Sequence, residues 1–432
     1  MDQWDVAVIG GGILGTTTAL WLAARHKGSI AVIEREERVA AHASGRNTGV
    51  IHRPFYLHPQ ERKFFARVAA LSFPMWKKYA AERRLPWSEL GTLKVAVTEE
   101  QIKSLEKNVE YARTNGMDDS EFELLDSNAV SKIEPHVRCA GALHVKTDTV
   151  VDFRAFTDAL RKDAEDMGVR FLTGCTVKEA RDSGEGPVLH LNGRETQMAA
   201  RLVVNCAGGN AVDVAHMFDL AGEYADMHFR GEYWNVDESV AGLVSRNVYC
   251  VPHQGEFPFL DPHWIVRVDG RREIGPNAVP VPSPVAYNGM FRRWPDWIRD
   301  MFRPPTSNKI RVWLNKDFVA LSMNEMWSSL SKVEMSRRVS RFIPRLQVEH
   351  LKARGTAGIR SMVLDRRGRL GKEAIEILGE SSFHVLNFNS PGATGAPAYA
   401  AHVASELEAD GYLDHMRLKE RAEGPWEWEK AF

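Results

Sequence analysis

The chain is poor in cysteine and pairs none of it. Cys139, Cys175, Cys206 and Cys250 stand far apart and form no C-x-x-C. That spacing argues against a zinc site or a disulfide framework, so no metal is expected, and free thiols suit a reducing compartment. No apolar run approaches the ~20 residues that span a bilayer. A surplus of one charge sign is also missing. The 56 Lys plus Arg and 57 Asp plus Glu leave a formal net charge of −1, so no global field favours nucleic acid as a partner. Repeats and low-complexity stretches are absent. The first strand begins by residue 5, which leaves no room for a signal peptide before it. The expectation is a cytoplasmic protein, attached at most to a membrane surface. The 432 residues, 44% hydrophobic and 26% charged, have the composition of a globular chain with room for two or three domains.

Against that background one segment stands out. Asp5-Val6-Ala7-Val8-Ile9 reads as a buried strand, and Gly10-Gly11-Gly12-Ile13-Leu14-Gly15 follows as a turn. Residues 16–24 read as a small-residue apolar helix, and Ile30-Ala31-Val32-Ile33 as a second strand ending on Glu34. Each part has a mechanical task in dinucleotide binding. Gly10 permits the tight turn, Gly12 lets the backbone approach a pyrophosphate, and Gly15 lets helix pack on strand. The helix N-terminus faces the phosphate charge. Glu34 stands where a carboxylate accepts hydrogen bonds from a ribose 2′-hydroxyl, which disfavours NADP but does not separate NAD from FAD.

Further along, 92–97 alternates like a strand, 99–115 reads as a polar helix and 141–145 as another strand. Phe153, Phe156 and Leu160 recur at helical spacing within 152–167. Residues 168–172 and 176–177 resemble strands that rejoin the first sheet, and 201–205 reads as a buried strand running into the small-residue turn Ala207-Gly208-Gly209. The stretch 227–282 is β-rich and 284–350 mainly helical. A last strand at 384–387 leads through Ser390-Pro391-Gly392-Ala393-Thr394-Gly395 into a helix reaching His402. The expected fold is α/β, and α+β overall. A discontinuous Rossmann-like cofactor domain (1–90, 150–222 and 352–432) carries an inserted β-rich substrate domain with helices (91–149 and 223–351).

That layout resembles the FAD-dependent oxidoreductases of the D-amino-acid oxidase type, and within them the L-2-hydroxyglutarate dehydrogenase/oxidase group. Ser44-Gly45-Arg46-Asn47-Thr48-Gly49-Val50-Ile51-His52 is similar to that group's S-G-x-N-S-G-V-I-H. Phe229-Arg230-Gly231-Glu232-Tyr233 matches F-R-G-E-Y, and Phe257-Pro258-Phe259-Leu260 with Gly275-Pro276-Asn277-Ala278-Val279 matches F-P-F-L…G-P-N-A-V. Met326-Trp327-Ser328-Ser329-Leu330-Ser331-Lys332, Gly358-Ile359-Arg360 and 384–394 fit the group's later motifs in order. Two segments depart from it, 54–60 and 251–256, and both lie where substrate is expected.

The resemblance implies bound FAD. Gly10, Gly12, Ile13, Leu14 and Gly15 would take its pyrophosphate, and Glu34 with Arg35 its adenosine. Val177, Ala207 and Gly208 would lie along it. Ser44, Gly45, Asn47, Thr48 and Gly49 would wrap the ribityl and ring region. Gly392, Ala393, Thr394 and Gly395 would place N–H groups near the N1–C2=O edge. The implied reaction oxidises a 2-hydroxy acid, L-2-hydroxyglutarate, with hydride passing to flavin N5 and electrons going on to quinone or oxygen. Among 15 histidines, His52 is the first candidate base and His263 the second, since imidazole titrates near neutral pH. Arg360 is the candidate carboxylate partner. Arg230 and Tyr233 either assist or pack. His42 is read as a loop residue rather than as a covalent flavin anchor.

Two questions stay open in the sequence. Residues 290–303 interleave large apolar side chains with Arg292, Arg293, Arg299 and Arg303, and Lys309, Arg311 and Lys316 follow. This suits an interfacial membrane helix, and equally a helix packed over the substrate domain. Substrate identity also has rivals on the same scaffold, namely malate, glycerol 3-phosphate or an amino acid. A non-catalytic flavin electron-transfer module is a further alternative.

Overall fold

The first apolar run becomes the strand Gln3–Ile9, in the middle of a parallel array. The structure is a computed structural model that describes residues 3–182, 186–193, 196–252, 262–288 and 294–431. The array runs Arg170–Leu172, Ile30–Ile33, Gln3–Ile9, Gln197–Asn205, Ser382–Leu386. Its strands are near-continuous apolar runs because both faces are covered. Val6 and Val8 enter a core made with helices. Ala7 and Ile9 enter a second core with the strands Thr176–Asp182 and Pro187–Asn192. Gln197–Asn205 serves both structures, pairing antiparallel with Pro187–Asn192 through its first half and parallel with Ser382–Leu386 through its second.

Four helices cover the first face: Ile13–Arg25, Lys63–Arg83, Phe153–Asp166 and Gly392–Ala409. Asp152 caps the third, its carboxylate accepting the Arg154 and Ala155 N–H groups. Small residues let the last helix press against the second, where a Cβ on Gly395 would sit 2.8 Å from Val68 Cγ2. Pro397 interrupts that helix's backbone ladder. Side chains of its neighbours take up the freed groups: Ser72 Oγ accepts the Ala398 N–H (3.1 Å) and Trp76 Nε1 donates to Thr394 O (2.8 Å). Sequence periodicity gave no separate sign of the helix Lys63–Arg83, which carries Pro74 inside it.

The other large sheet has eight strands, ordered Leu351–Arg354, Trp234–Val236, Arg272–Gly275, His263–Val266, Asn247–Cys250, Thr92–Ala96, Gly141–Val145, Phe122–Asp126. A small sheet sets Ala225–Gly231 between Val279–Val281 and Gly358–Leu364. Leu351–Arg354 and Gly358–Leu364 therefore hydrogen-bond to strands of the 223–351 segment, so the sequence boundary at 352 cuts through continuous pairing. Helices Trp294–Met301, Thr306–Trp313, Lys316–Leu330 and Lys332–Ser340 follow. Among the described residues no helix is long and apolar enough to cross a membrane.

Candidate active site

A cavity of about 600 Å³ opens between the carboxyl ends of the parallel strands and the eight-stranded sheet. Gly10, at φ +112°, turns the chain beneath it; a Cβ there would lie 2.5 Å from Cys206 O. Gly10, Gly12, Ile13, Leu14, Glu34 and Arg35 form one end of the lining. The Glu34 carboxylate is held by N–H donors from Gly11 (2.7 Å) and Glu36 (2.9 Å), and burial raises its pKa. Val177, Ala207 and Gly208 continue this wall. Ser44, Asn47 and Thr48 border the middle, and Gly392, Ala393 and Thr394 the far end.

Gly15, Gly45, Gly49 and Gly395, expected as cofactor contacts, do not border the cavity; they sit one layer behind it. Added Cβ atoms would meet Gly10 O, Ala40 O, Val151 O and Val68 Cγ2 respectively. Their lack of side chains shapes the wall rather than touching what it encloses.

The fit to FAD can be judged from the donors present. The helices Ile13–Arg25 and Gly392–Ala409 both begin at the cavity, and neither N-cap residue, Gly12 or Pro391, offers a side-chain cap. Among the described residues only Ser44 Oγ reaches across, accepting the Ile13 N–H at 2.9 Å. Two positive helix ends facing one cavity suit a ligand with a pyrophosphate at one end and an electron-rich ring edge at the other. The Glu34 carboxylate beyond the first helix end adds a ribose acceptor. The residues present therefore fit the group.

His52 leaves the short strand Val50–Ile51 and lines the same cavity. Its Nδ1 lies 2.9 Å from Asp148 Oδ2, and Asp148, fully buried, also accepts the Arg53 N–H at 2.7 Å. A proton on Nδ1 facing that carboxylate makes Nε2 the acceptor nitrogen of the ring. Tyr249 Oη is 3.5 Å from Nε2. His263 is also in the lining, its ring edge-on to Tyr249 with centroids 4.0 Å apart. Burial holds its pKa well below the usual value, with the cations around it adding to the effect, and its Nδ1 has no hydrogen-bond partner. Burial pushes Tyr56 and Tyr233 up to about 12 and Tyr249 well above its ordinary value. These phenols stay protonated and are available as hydrogen-bond donors.

Arg360 projects from Gly358–Leu364 into the cavity, and no carboxylate pairs with it among the described residues. Tyr56, Arg62 and Tyr233 are the charged or titratable groups that act on it. Arg230 does not join this set. It is buried against Glu232 (2.8 Å) and donates to Ala286 O, so its part is packing, while Tyr233 does border the cavity. His42 hydrogen-bonds Glu36 (2.7 Å) and Tyr287 (2.8 Å) just before a short 3-10 turn, as a loop residue would. Sequence reasoning missed Asp148 and Tyr249; each is a single residue in a turn or strand and belongs to no motif. The Phe257–Leu260 motif, most of the 251–256 departure and residues 290–293 lie outside the described residues.

Comparison with known proteins agrees with this geometry. The chain is 28% identical to the mitochondrial L-2-hydroxyglutarate dehydrogenase of Bos taurus over 424 residues, covering 94% of this chain and 89% of that one. It is 28% identical to the L-2-hydroxyglutarate dehydrogenase of Indibacter alkaliphilus over 396 residues, 91% and 96% of the two chains. Among solved structures, the FAD-bound L-alpha-glycerophosphate oxidase of Mycoplasma pneumoniae superposes with a TM-score of 0.73 at 19% identity, covering 98% of both chains. Glycine oxidase of Geobacillus kaustophilus gives 0.70 at 19% identity over 95% of each. Residues 5–406 match the family described as FAD dependent oxidoreductase. With a glycine turn, a ribose carboxylate and two helix ends around one cavity, this chain belongs to the FAD-dependent oxidoreductase family.

Proposed function

We propose that this protein oxidises L-2-hydroxyglutarate to 2-oxoglutarate, using FAD held in the cavity. The observation that carries the reading is the His52–Asp148 pair sharing a cavity with Arg360, which has no carboxylate partner among the described residues. The names of the relatives at 28% identity support the substrate. Bound FAD would supply the acceptor for two electrons and one hydrogen. Arg360 binds the carboxylate next to the reacting carbon through its guanidinium fork. His52 Nε2 takes the hydroxyl proton, and Asp148 stabilises the imidazolium that results. His263, kept neutral by burial, offers a hydrogen bond rather than a base. Tyr233 and Tyr249, kept as neutral phenols by burial, offer hydrogen-bond donors in the same cavity.

For the acceptor we infer a membrane quinone reached from a bilayer surface. Eight of the twelve large hydrophobics exposed among the described residues fall within 298–333, including Phe302 (70%), Leu314 (75%) and Trp327 (63%). Arg299, Arg311 and Lys316 are exposed in the same stretch. Apolar and basic side chains together suit an anionic lipid surface. Not all of the basic run contributes: Lys309 is buried against Asp300 (2.6 Å) and Arg303 pairs with Asp213.

Anaerobic loss of the flavin's visible absorbance, tested with both enantiomers of 2-hydroxyglutarate and malate, glycerol 3-phosphate and amino acids, decides the substrate. Rapid bleaching by L-2-hydroxyglutarate is expected. Bleaching by another compound instead overturns the substrate, and bleaching by none restores the electron-transfer reading. Co-sedimentation with anionic vesicles, lost in Phe302→Asp/Trp327→Asp, is expected for the acceptor reading. Absence of sedimentation, with fast turnover on oxygen, would remove it.

A further inference from the structure

Beside the cavity lies a buried cluster that the proposed reaction does not use. Asp226 and His228 stand two positions apart on the strand Ala225–Gly231, so their side chains share one face of it. Asp300, on the helix Trp294–Met301, comes in against that face. One polar atom from each of the three lies within 4.8 Å of the other two. His228 Nε2 and Asp226 Oδ2 are 3.7 Å apart, too far for a hydrogen bond.

Both of those atoms are buried and have no hydrogen-bond partner, in residues that are 1% and 4% exposed. Buried polar atoms are rarely left in that state unless an ion or a water sits between them. His228 Nδ1 is 2.8 Å from Ser361 Oγ. A proton on Nδ1 facing that hydroxyl leaves the Nε2 lone pair for the carboxylate side, as in a metal-bound histidine steadied by an outer partner. Lys309 is the cation of the cluster, 2.6 Å from Asp300 Oδ1 and 3.7 Å from Asp226 Oδ1. One ammonium therefore stands against two carboxylates. Burial lowers the His228 pKa, so the ring is neutral, and raises that of Asp300 even with Lys309 beside it. The cluster is short of positive charge.

We propose that Asp226, His228 and Asp300 bind one divalent transition-metal ion. One imidazole with two carboxylates suits zinc or manganese. Bonds of about 2.0–2.2 Å put ligand atoms roughly 3–4 Å apart, so the spacing of Asp226 and His228 already fits, and the widest gap closes by a small side-chain shift. Lys309 keeps its hold on Asp300 Oδ1 and offsets the second carboxylate. The ion pins the helix Trp294–Met301 to a strand of the cavity wall. Widely spaced cysteines exclude only a thiolate site; these ligands come from an Asp-x-His on one strand and a distant aspartate.

Metal analysis of the flavin-loaded protein by plasma mass spectrometry, after desalting in EDTA, tests the site. About one equivalent of zinc or manganese per chain is expected. Asp300→Asn and His228→Gln are each expected to lower it about 10-fold or more, with flavin content unchanged. If His228→Gln loses its flavin, Asp300→Asn carries the comparison, since its side chain is the least buried of the three. Should the protein arrive without metal, zinc chloride or manganese chloride added alone is expected to raise the Tm of the wild type and not that of Asp300→Asn. Wild-type protein that neither holds nor takes up either ion overturns the proposal. So does a metal content that is the same in wild type and variants, which would place the ion elsewhere.

Discussion

On the nucleotide side, the cavity wall is mostly backbone and small side chains, Gly10, Gly12, Ala207, Gly208, Gly392 and Ala393, with two helix ends among them. On the substrate side it is made of bulky polar side chains, His52, Tyr233, Tyr249, His263 and Arg360, delivered by separate strands. The first wall works by leaving room and aligning dipoles, so at its tightest point, Gly10, it has no space for an added atom. The second works by fixing protons and charges, so it tolerates changes of shape better than changes of chemistry.

The sharpest way to break this contrast is Gly10→Val. The side chain would enter the position of Cys206 O at a φ that disfavours it. The variant is expected to purify without flavin, as read from the ratio of visible to ultraviolet absorbance. A yellow protein would show that the turn has slack. Next comes His52→Ala, which should keep its flavin but lose kcat by about 10²–10⁴-fold, the range for a general base. His263→Ala should cost far less, and a reversed order would exchange their roles. Asp148→Asn is expected to retain substrate affinity and lose roughly 10²-fold in kcat, because an amide no longer stabilises the imidazolium. An unchanged kcat would reduce Asp148 to a packing residue.

The smallest effect is on stability. His384, fully buried between Asn205 and Ser382, has its pKa lowered to about 4 by burial. In the unfolded chain it titrates at the ordinary value. As pH falls below about 6.5 the unfolded state gains the proton first, so stability is lost on acidification, by roughly 2 kcal/mol at pH 5 for this group. Urea unfolding of the wild type and His384→Gln between pH 7 and 5 measures it, and parallel pH slopes would discount the histidine.

These walls also differ in how far they can be read from sequence. The strand Ile30–Ile33 and the turn before it follow from apolar continuity and local glycine spacing, which short-range sterics dictate. His52 was legible because it closes a contiguous motif. Its partner Asp148 lies 96 positions away and meets it only because Val50–Ile51 pairs with Thr149–Val150. Tyr249 and His263 meet across paired strands, and no local pattern encodes such a register. The basic run after 303 misleads for the same reason: Lys309 reads as surface charge until the fold sets Asp300 and Asp226 beside it.

One consequence of the strand order concerns the ribosome. Gln3–Ile9 is made well before Ser382–Leu386 and Gly392–Ala409, yet these later segments complete the sheet and core around it. Near the end of the chain, the Lys419 and Glu423 N–H groups bond back to Arg25 and Ala24, and Trp426 Nε1 donates to Met75 O. At roughly 5–20 residues per second, the opening strand waits tens of seconds for these partners. Its two edges find Ile30–Ile33 and Gln197–Asn205 earlier, but the apolar face that packs on helices stays uncovered until Gly392–Ala409 is made. A nascent chain of this design depends on prompt shielding until Gly392–Ala409 closes the core.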